Sequence, residues 1–129
     1  MYCPVCDKPM VVLELNEVEI DYCTTCAGIW LDAGELELLL NDKKERNDFI
    51  VSFKIDEHSK EKKRKCPLCR KRMEKVLYGT DRFVRLDRCK KGEGLWLDKG
   101  ELETIFEIGE FDKQNKVYDL LIDMFGKTK

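Results

Sequence analysis

The sequence predicts a small α+β fold made of two tandem copies of one unit. Each unit has two cysteine knuckles and a β-hairpin and is followed by a helix, and a C-terminal amphipathic helix ends the chain. Two observations predict this arrangement. The stretch CTTCAGIWLD at residues 23–32 recurs as CKKGEGLWLD at residues 89–98, and a CPxC pair precedes each stretch, at residues 3–6 and 66–69. A long internal repeat indicates that one structural unit occurs twice.

The repeat divides the 129 residues into four predicted segments. The first unit with its helix covers residues 1–46, and the second unit with its helix covers residues 66–108. Between them, residues 47–65 form a strand and a basic linker, and residues 110–129 form the C-terminal helix. A unit of roughly 40 residues rarely buries enough apolar surface to fold unaided, so a metal or disulfides usually stabilise it.

A β-hairpin is predicted between the two cysteine pairs of each unit. In the first unit, the runs MVVLEL and EVEIDY flank Asn16, and in the second unit MEKVLY and RFVRLD flank a turn at residues 79–81. Apolar runs separated by turn residues are typical of hairpins. The stretch FIVSFKI between the units alternates and predicts one further strand. Its apolar side consists of Phe49, Val51, Phe53 and Ile55.

Both helices that follow the units have the same predicted start. Asp32 is followed three residues later by Glu35, and Asp98 is followed in the same way by Glu101. This spacing is that of a capping box, in which the first residue caps the helix. The C-terminal helix has an apolar stripe for which packing on the chain's own units is favoured over binding a partner. The stripe consists of Val117, Leu120, Leu121, Met124 and Phe125.

Four cysteines of the first unit have the spacing of a metal site. Cys3 and Cys6 form one Cys-x-x-Cys pair and Cys23 and Cys26 form another, with a hairpin between them. Zinc prefers four ligands at tetrahedral corners, and two such pairs supply four thiolates. A thioredoxin-like redox motif is the alternative, but no βαβ pattern surrounds either pair. Iron could occupy the same thiolates, although a closed site of four cysteines favours zinc.

The second unit offers only three cysteines, namely Cys66, Cys69 and Cys89, because Gly92 stands where the fourth is expected. Four interpretations stay open. The carboxylate of Glu93 completes the site, His58 reaches it from the linker, water or a partner's side chain fills the fourth corner, or the site has lost its metal. Metal held by three thiolates and one other ligand is favoured.

An open corner is also a feature of catalytic zinc sites, but such sites need a base and a substrate pocket. The carboxylates near the second site belong to Glu93, Asp98 and Glu101, and helix capping accounts for the last two. The sequence therefore predicts no catalytic residue and a protein that is not an enzyme. Trp30 and Trp96 are interpreted as core residues that cover the knuckles and pack against their helices, rather than as platforms for stacking nucleic-acid bases.

These residues resemble those of the transcription factor IIB-type zinc-finger family, whose pattern is CPxC, a hairpin and then DxCxxCxGIWLDxGEL. The first unit matches nearly throughout. The second has Gly92 in place of a cysteine and matches at Asp87, Cys89, Gly94, Trp96, Asp98, Gly100, Glu101 and Leu102. The resemblance implies two tandem zinc ribbons, the second degenerate, with zinc on the cysteines identified above. The family name suggests a role in transcription, which is an analogy of fold.

Net charge is −2 overall but is unevenly distributed. Residues 1–48 hold 11 acidic and 4 basic side chains, a net charge of −7, whereas residues 60–91 hold 4 acidic and 14 basic side chains, a net charge of +10. The basic segment predicts contact with an acidic partner, either nucleic acid or an acidic protein surface. Solvated charge that pairs internally with the acidic first half is an equally weighted alternative.

The N-terminal stretch MYCPVC has neither the basic nor the apolar region of a signal peptide, and no stretch is long and apolar enough to span a bilayer. We therefore expect a cytoplasmic protein, in whose reducing environment paired cysteines are more often metal ligands or redox thiols than disulfides. Two further functions remain open. One is a thiol redox switch, metal-handling or chaperone-like protein, and the other is a structural module that forms a homo-oligomer through its C-terminal helix.

Overall fold

The computed structural model describes residues 1–15, 17–39, 48–49, 51–57, 63–79 and 83–108. The strands within these ranges are β1 (Val11–Leu15), β2 (Val18–Tyr22), β3 (Ile29–Asp32), β4 (Lys54–Ile55), β5 (Glu74–Tyr78), β6 (Val84–Arg88) and β7 (Gly94–Leu97). Helix α1 spans Ala33–Leu39 and helix α2 spans Glu101–Ile108. The seven strands form one antiparallel sheet in the order β1-β2-β3-β7-β6-β5-β4.

The two repeats meet at the centre of this sheet, where β3 pairs with β7. Trp30 lies directly opposite Trp96, and Ile29 lies opposite Leu97. Because equivalent residues face each other in an antiparallel pair, the repeats are related by an approximate two-fold axis, as in a symmetric dimer. The two units therefore share one sheet, while the segment boundaries at residues 46, 65 and 108 remain predictions.

Both predicted hairpins are confirmed, as β1–β2 and β5–β6. The prediction of a strand through residues 49–55 is wrong for most of its length, because residues 48, 49 and 51 are helical and only Lys54–Ile55 is a strand. Phe49 is buried whereas Val51 is 83% exposed, so the alternating residues do not share one side. β4 pairs with β5 at the edge of the sheet.

Strands β3 and β7 are the elements that the sequence reasoning missed. Their residues form short continuous apolar runs, IWL and LWL, rather than an alternating pattern. Such runs are typical of a strand that is buried on both faces. In β7 all four residues are buried, and in β3 the first three are. The runs themselves are the signal that would have identified both strands.

Each face of the sheet has its own buried cluster. On one face, Leu31 and Leu95 belong to an aliphatic core that also contains Leu102 and Ile105 of helix α2. On the other face, the two tryptophans cluster with buried cysteines and Met73. Because side chains alternate along a strand, Ile29 and Leu31 point to one face and Trp30 points to the other. The fold thus places the cysteines opposite the helices.

The two tryptophans are fully buried, as the sequence predicts for core residues, but each packs on the other repeat. A Cβ atom added to Gly28 would lie 2.2 Å from Cζ2 of Trp96, and one added to Gly94 would lie 2.7 Å from Cζ2 of Trp30. Real Cβ atoms do not approach other atoms this closely, so both positions require glycine. The indole of one repeat therefore fills the space that the glycine of its partner repeat leaves open.

The two helix starts differ although their sequences match. At α1 the capping box is complete, because the amide of Glu35 donates to Asp32 Oδ1 (2.8 Å) and the amide of Asp32 donates to Glu35 Oε1 (3.0 Å). At α2 only half of the box is present: the amide of Asp98 donates to Glu101 Oε1 (2.6 Å), but the Asp98 carboxylate accepts from the Trp96 indole (3.1 Å) and from Arg64. The indole N–H of Trp30 has no hydrogen-bond partner among the described residues. Asp32 Oδ1 therefore caps helix α1, whereas the equivalent oxygen of Asp98 accepts from the indole of Trp96.

Two features of the sequence analysis fall on residues that the structure does not describe. His58, one of the four alternatives for the fourth ligand, lies outside the described residues, and so does the predicted C-terminal helix over residues 110–129. The structure tests neither. Within the described ranges, no helix has both the length and the apolar character needed to cross a bilayer.

Candidate metal centres

The four cysteines of the first repeat converge as their spacing predicts. The sulfurs of Cys3, Cys6, Cys23 and Cys26 all lie within 4.8 Å of one another. The Sγ atoms of Cys3 and Cys26 are 3.7 Å apart. Zinc with a bond to sulfur of about 2.3 Å places two tetrahedral sulfurs about 3.8 Å apart. The four thiols therefore fit one tetrahedral zinc ion, and this group is called site 1.

The knuckle backbone adds hydrogen bonds to the sulfurs of site 1. The amides of Val5 and Cys6 each donate to the sulfur of Cys3 at 3.3 Å. Amide donors of this kind stabilise thiolate charge and orient the ligand. The turn closes because the amide of Asp7 donates to the carbonyl of Cys3 (2.9 Å). A metal bound here would link residues 1–10 to the end of strand β2 and the start of strand β3.

The thiols of the protein differ in acidity. Burial raises the pKa of Cys3 to about 11 and that of Cys66 to about 12. At Cys23 burial also favours the neutral thiol, but hydrogen bonds from the amides of Cys26 and Thr25 and from the thiols of Cys26 and Cys3 together outweigh it and lower the pKa to about 7. At neutral pH the metal-free protein therefore holds protons on Cys3 and Cys66, and a metal must displace them.

We expect zinc affinity to rise with pH, because protons compete for the same sulfurs. Thiols with pKa values of about 11 and 12 are protonated throughout the range from pH 6.5 to 8, so each unit of pH increases the affinity about tenfold for every proton released. Calorimetric zinc titrations in buffers of different ionisation enthalpy measure the number of protons released. An affinity that is flat across this range would contradict the pKa values.

The second repeat also forms a compact group, and Glu93 is part of it. The sulfurs of Cys66, Cys69 and Cys89 and a carboxylate oxygen of Glu93 lie within 4.8 Å of one another. The Sγ atoms of Cys69 and Cys89 are 3.9 Å apart, close to a tetrahedral edge. This group, called site 2, offers three thiols and one carboxylate. Its donor set fits zinc, and of the four interpretations left open by the sequence, a neighbouring Glu93 is the one with a described contact.

Four of the predicted basic residues are occupied in ion pairs inside the fold. Lys75 is buried and lies 2.5 Å from the buried Asp87, whose carboxyl pKa is raised by burial despite this lysine. Arg64 lies 2.5 Å from Asp98. Arg85 pairs with Asp56, and Arg88 pairs with Glu74. Asp56, Glu74, Asp87 and Asp98 lie outside residues 1–48, so these four pairs do not join the basic segment to the acidic first half.

Among the described residues, the remaining cations of the basic segment lie on the knuckles and at the end of the linker. A cleft of about 550 Å³ opens between the first knuckles of the two repeats, and it is called the basic cleft. The wall from the second repeat contributes Lys63, Lys65, Arg70 and Arg72, and the wall from the first repeat contributes Tyr2 and Val5. The cleft was not predicted from the sequence, because its walls meet only through the β3–β7 pairing.

Comparison with known proteins identifies the same two units. The model of the transcription factor zinc-finger family, a TFIIB-type zinc ribbon, matches residues 2–42 and again residues 65–108. No curated protein and no solved structure matches the chain. The two matched segments together cover about two thirds of the sequence and contain every residue of sites 1 and 2. The chain therefore belongs to the transcription factor zinc-finger family and carries two tandem copies of its zinc ribbon.

Proposed function

We propose that this protein is a non-enzymatic, zinc-binding protein of the cytoplasm that binds single-stranded nucleic acid in the basic cleft. Zinc in the two ribbons fixes the knuckles that form the walls of the cleft. The observation that supports the proposal best is the difference between these walls, since one carries cations and the other carries an aromatic ring. A single strand presents both phosphates and unstacked bases, so it complements both walls.

The cationic wall suits phosphate groups. Lys63, Lys65, Arg70 and Arg72 are exposed, and within the described ranges none of them has an ion-pair partner. Among the described residues that line the cleft, Asp7 is the only acidic one. Cations that are not neutralised by the fold attract a polyanion and gain further when its counterions are released.

The opposite wall suits a base. Tyr2 is 49% exposed and Val5 is 44% exposed, so this wall offers an aromatic ring and an apolar side chain to a ligand. A base stacked on an aromatic ring contributes about 1–3 kcal/mol and requires no particular sequence. A B-form duplex keeps its bases stacked inside and exposes them only in the grooves, so Tyr2 favours a single strand over a duplex. An acidic peptide shares the negative charge but has no bases to stack.

Binding of a labelled, single-stranded 12-residue oligonucleotide to the zinc-loaded protein tests the proposal by fluorescence anisotropy over a range of salt concentrations. We expect the double variant Lys63→Glu with Arg72→Glu to bind about tenfold more weakly or worse. The loss of two phosphate contacts should also reduce the slope of log affinity against log salt by about 1.4. The matched control is Lys54→Glu with Lys99→Glu, which changes net charge equally at exposed lysines outside the cleft.

The aromatic wall is tested separately. Tyr2→Ala should weaken binding by about fivefold or more because a stacking surface is lost, while Tyr2→Phe should bind like the original protein. Absence of binding at low salt, or equal effects of the two charge-reversal pairs, would contradict the proposal. Tighter binding of polyglutamate than of the oligonucleotide, with no effect of Tyr2→Ala, would replace nucleic acid with an acidic protein surface as the partner.

A further inference from the structure

The knuckle turns of the two ribbons follow one rule with a single exception. In three knuckles the residue directly after the second cysteine has a left-handed backbone, namely Asp7 (φ 55°), Ala27 (φ 62°) and Arg70 (φ 66°). The amide of each donates to the carbonyl of the first cysteine of its pair, at 2.9, 2.8 and 2.9 Å. The left-handed residue therefore closes the turn just after the second ligand.

In the fourth knuckle the turn closes one residue earlier. Gly92 itself has the left-handed backbone (φ 76°), and its amide donates to the carbonyl of Cys89 at 3.0 Å. Gly92 occupies the position that Cys26 has in the first repeat, so the turn residue has moved to the ligand position. Glycine adopts this conformation at no steric cost, whereas a cysteine with its Cβ atom would be strained there.

The residues that flank this turn keep their original places. The amide of Cys89 donates to the carbonyl of Gly94 at 3.1 Å, just as the amide of Cys23 donates to the carbonyl of Gly28 at 3.0 Å. Both segments contain the same number of residues, so a turn that closes early leaves one residue between the turn and Gly94. That residue is Glu93, whose carbonyl also accepts from the amide of Ala33 (3.2 Å).

The position and length of Glu93 suit a ligand. The carboxylate oxygen of a glutamate is two bonds further from the backbone than the sulfur of a cysteine. This extra length compensates for the position of Glu93, which lies one residue after the usual position of the fourth cysteine. That oxygen lies within 4.8 Å of the sulfurs of Cys66, Cys69 and Cys89, as the fourth thiol does in site 1. Zinc accepts carboxylate oxygen at about 2.0–2.2 Å.

We propose that Glu93 is the fourth ligand of site 2, brought into place by the one-residue shift of the turn at Gly92. The second ribbon is then a complete site with three thiolates and one carboxylate, and its metal exchanges before that of site 1. Zinc binds soft thiolates better than hard carboxylates, so the two sites differ in affinity although their charges are equal. This inference does not depend on binding of nucleic acid.

Metal content and chelator competition of the full chain test the assignment. The original protein should hold two zinc ions and release them to a chelator in two phases. Glu93→Ala should weaken the first-released ion about tenfold or more and leave the second unchanged, so that site 1 reports correct folding within the same sample. Glu57→Gln, at an exposed carboxylate outside both metal groups, is the control for lost charge and should leave both phases unchanged.

Two further variants test whether the shifted turn supplies Glu93 as the fourth ligand or leaves the fourth ligand position of site 2 empty. Cys89→Ser should weaken the same phase as Glu93→Ala, because both residues hold one ion. Gly92→Cys should not increase affinity or the thiolate charge-transfer absorption of cobalt-loaded protein, because its left-handed backbone opposes cysteine. One zinc ion per original chain, unchanged release from Glu93→Ala, or a fourth thiolate signal in Gly92→Cys would each overturn the proposal.

Discussion

Removal of zinc by a strong chelator under reducing conditions is expected to unfold the first ribbon. Residues 1–10 have little apolar support of their own, since none of them belongs to the aliphatic core and Met1, Tyr2 and Val5 are 46%, 49% and 44% exposed. The cluster on this face of the sheet consists mainly of cysteines and the two tryptophans. For isolated zinc-finger units, metal binding supplies about 10–16 kcal/mol of apparent folding free energy. Val18 and Ile20 attach strand β2 to the aliphatic core, but residues 1–10 have no such contact, so nothing there replaces a term of that size.

The loss is measured by near-ultraviolet circular dichroism, which reports Trp30 and Trp96, and by limited proteolysis of the N-terminal residues. Chelator already saturated with zinc is the control for effects of the chelator itself, and returning excess zinc should restore both signals. Reducing conditions prevent disulfides from replacing the ion. If spectrum and protease resistance stay unchanged after both ions are removed, then packing rather than coordination stabilises the ribbon.

The second large effect is expected for Gly94→Ala. A Cβ atom at this position would lie 2.3 Å from the carbonyl oxygen of Leu31 and 2.9 Å from the Cα atom of Asp32, so it meets the backbone of β3 as well as the indole of Trp30. Backbone atoms in the middle of a sheet cannot move aside without breaking strand pairs. Overpacking costs about 1–3 kcal/mol where side chains adjust, and we expect about 3 kcal/mol or more here.

Urea denaturation of the zinc-loaded protein measures this loss, and Gly34→Ala is the matched control. At Gly34, in helix α1, the nearest atom to an added Cβ is 3.5 Å away, an ordinary contact, and alanine favours a helix by up to about 1 kcal/mol. The two variants add the same methyl group within the same fold and should change stability in opposite directions. Similar stabilities for both variants would show that the contact between the repeats tolerates a methyl group.

Much of the local structure could be predicted from neighbouring residues. The spacing of cysteines in pairs predicts site 1, because two residues between thiols and a hairpin between pairs already determine the tetrahedron. The hairpins follow from alternation and turn residues. The strand predicted over residues 49–55 is mostly wrong, because alternation over a few residues does not determine which side chains become buried.

The charge count predicted a basic surface but not which of its cations form that surface. The count of +10 over residues 60–91 could not distinguish cations that the fold uses from those that it leaves exposed. Lys75 on β5 pairs with an acid on β6, and Arg88 on β6 pairs with an acid on β5. Lys63 and Arg72, by contrast, line the basic cleft. A charge count gives the sign of a surface field, and only the pairing of strands decides where that field acts.

The sequence by itself determined the repeat, the thiol ligands and the residues that start the helices, because each depends on contacts between residues close along the chain. The tertiary structure alone decided that β3 pairs with β7, that each tryptophan covers the glycine of the other repeat and that Glu93 lies beside three thiols. These features depend on distances between residues far apart in sequence or on a turn that shifts by one residue. Local patterns do not encode such distances, whereas packing of the complete sheet does.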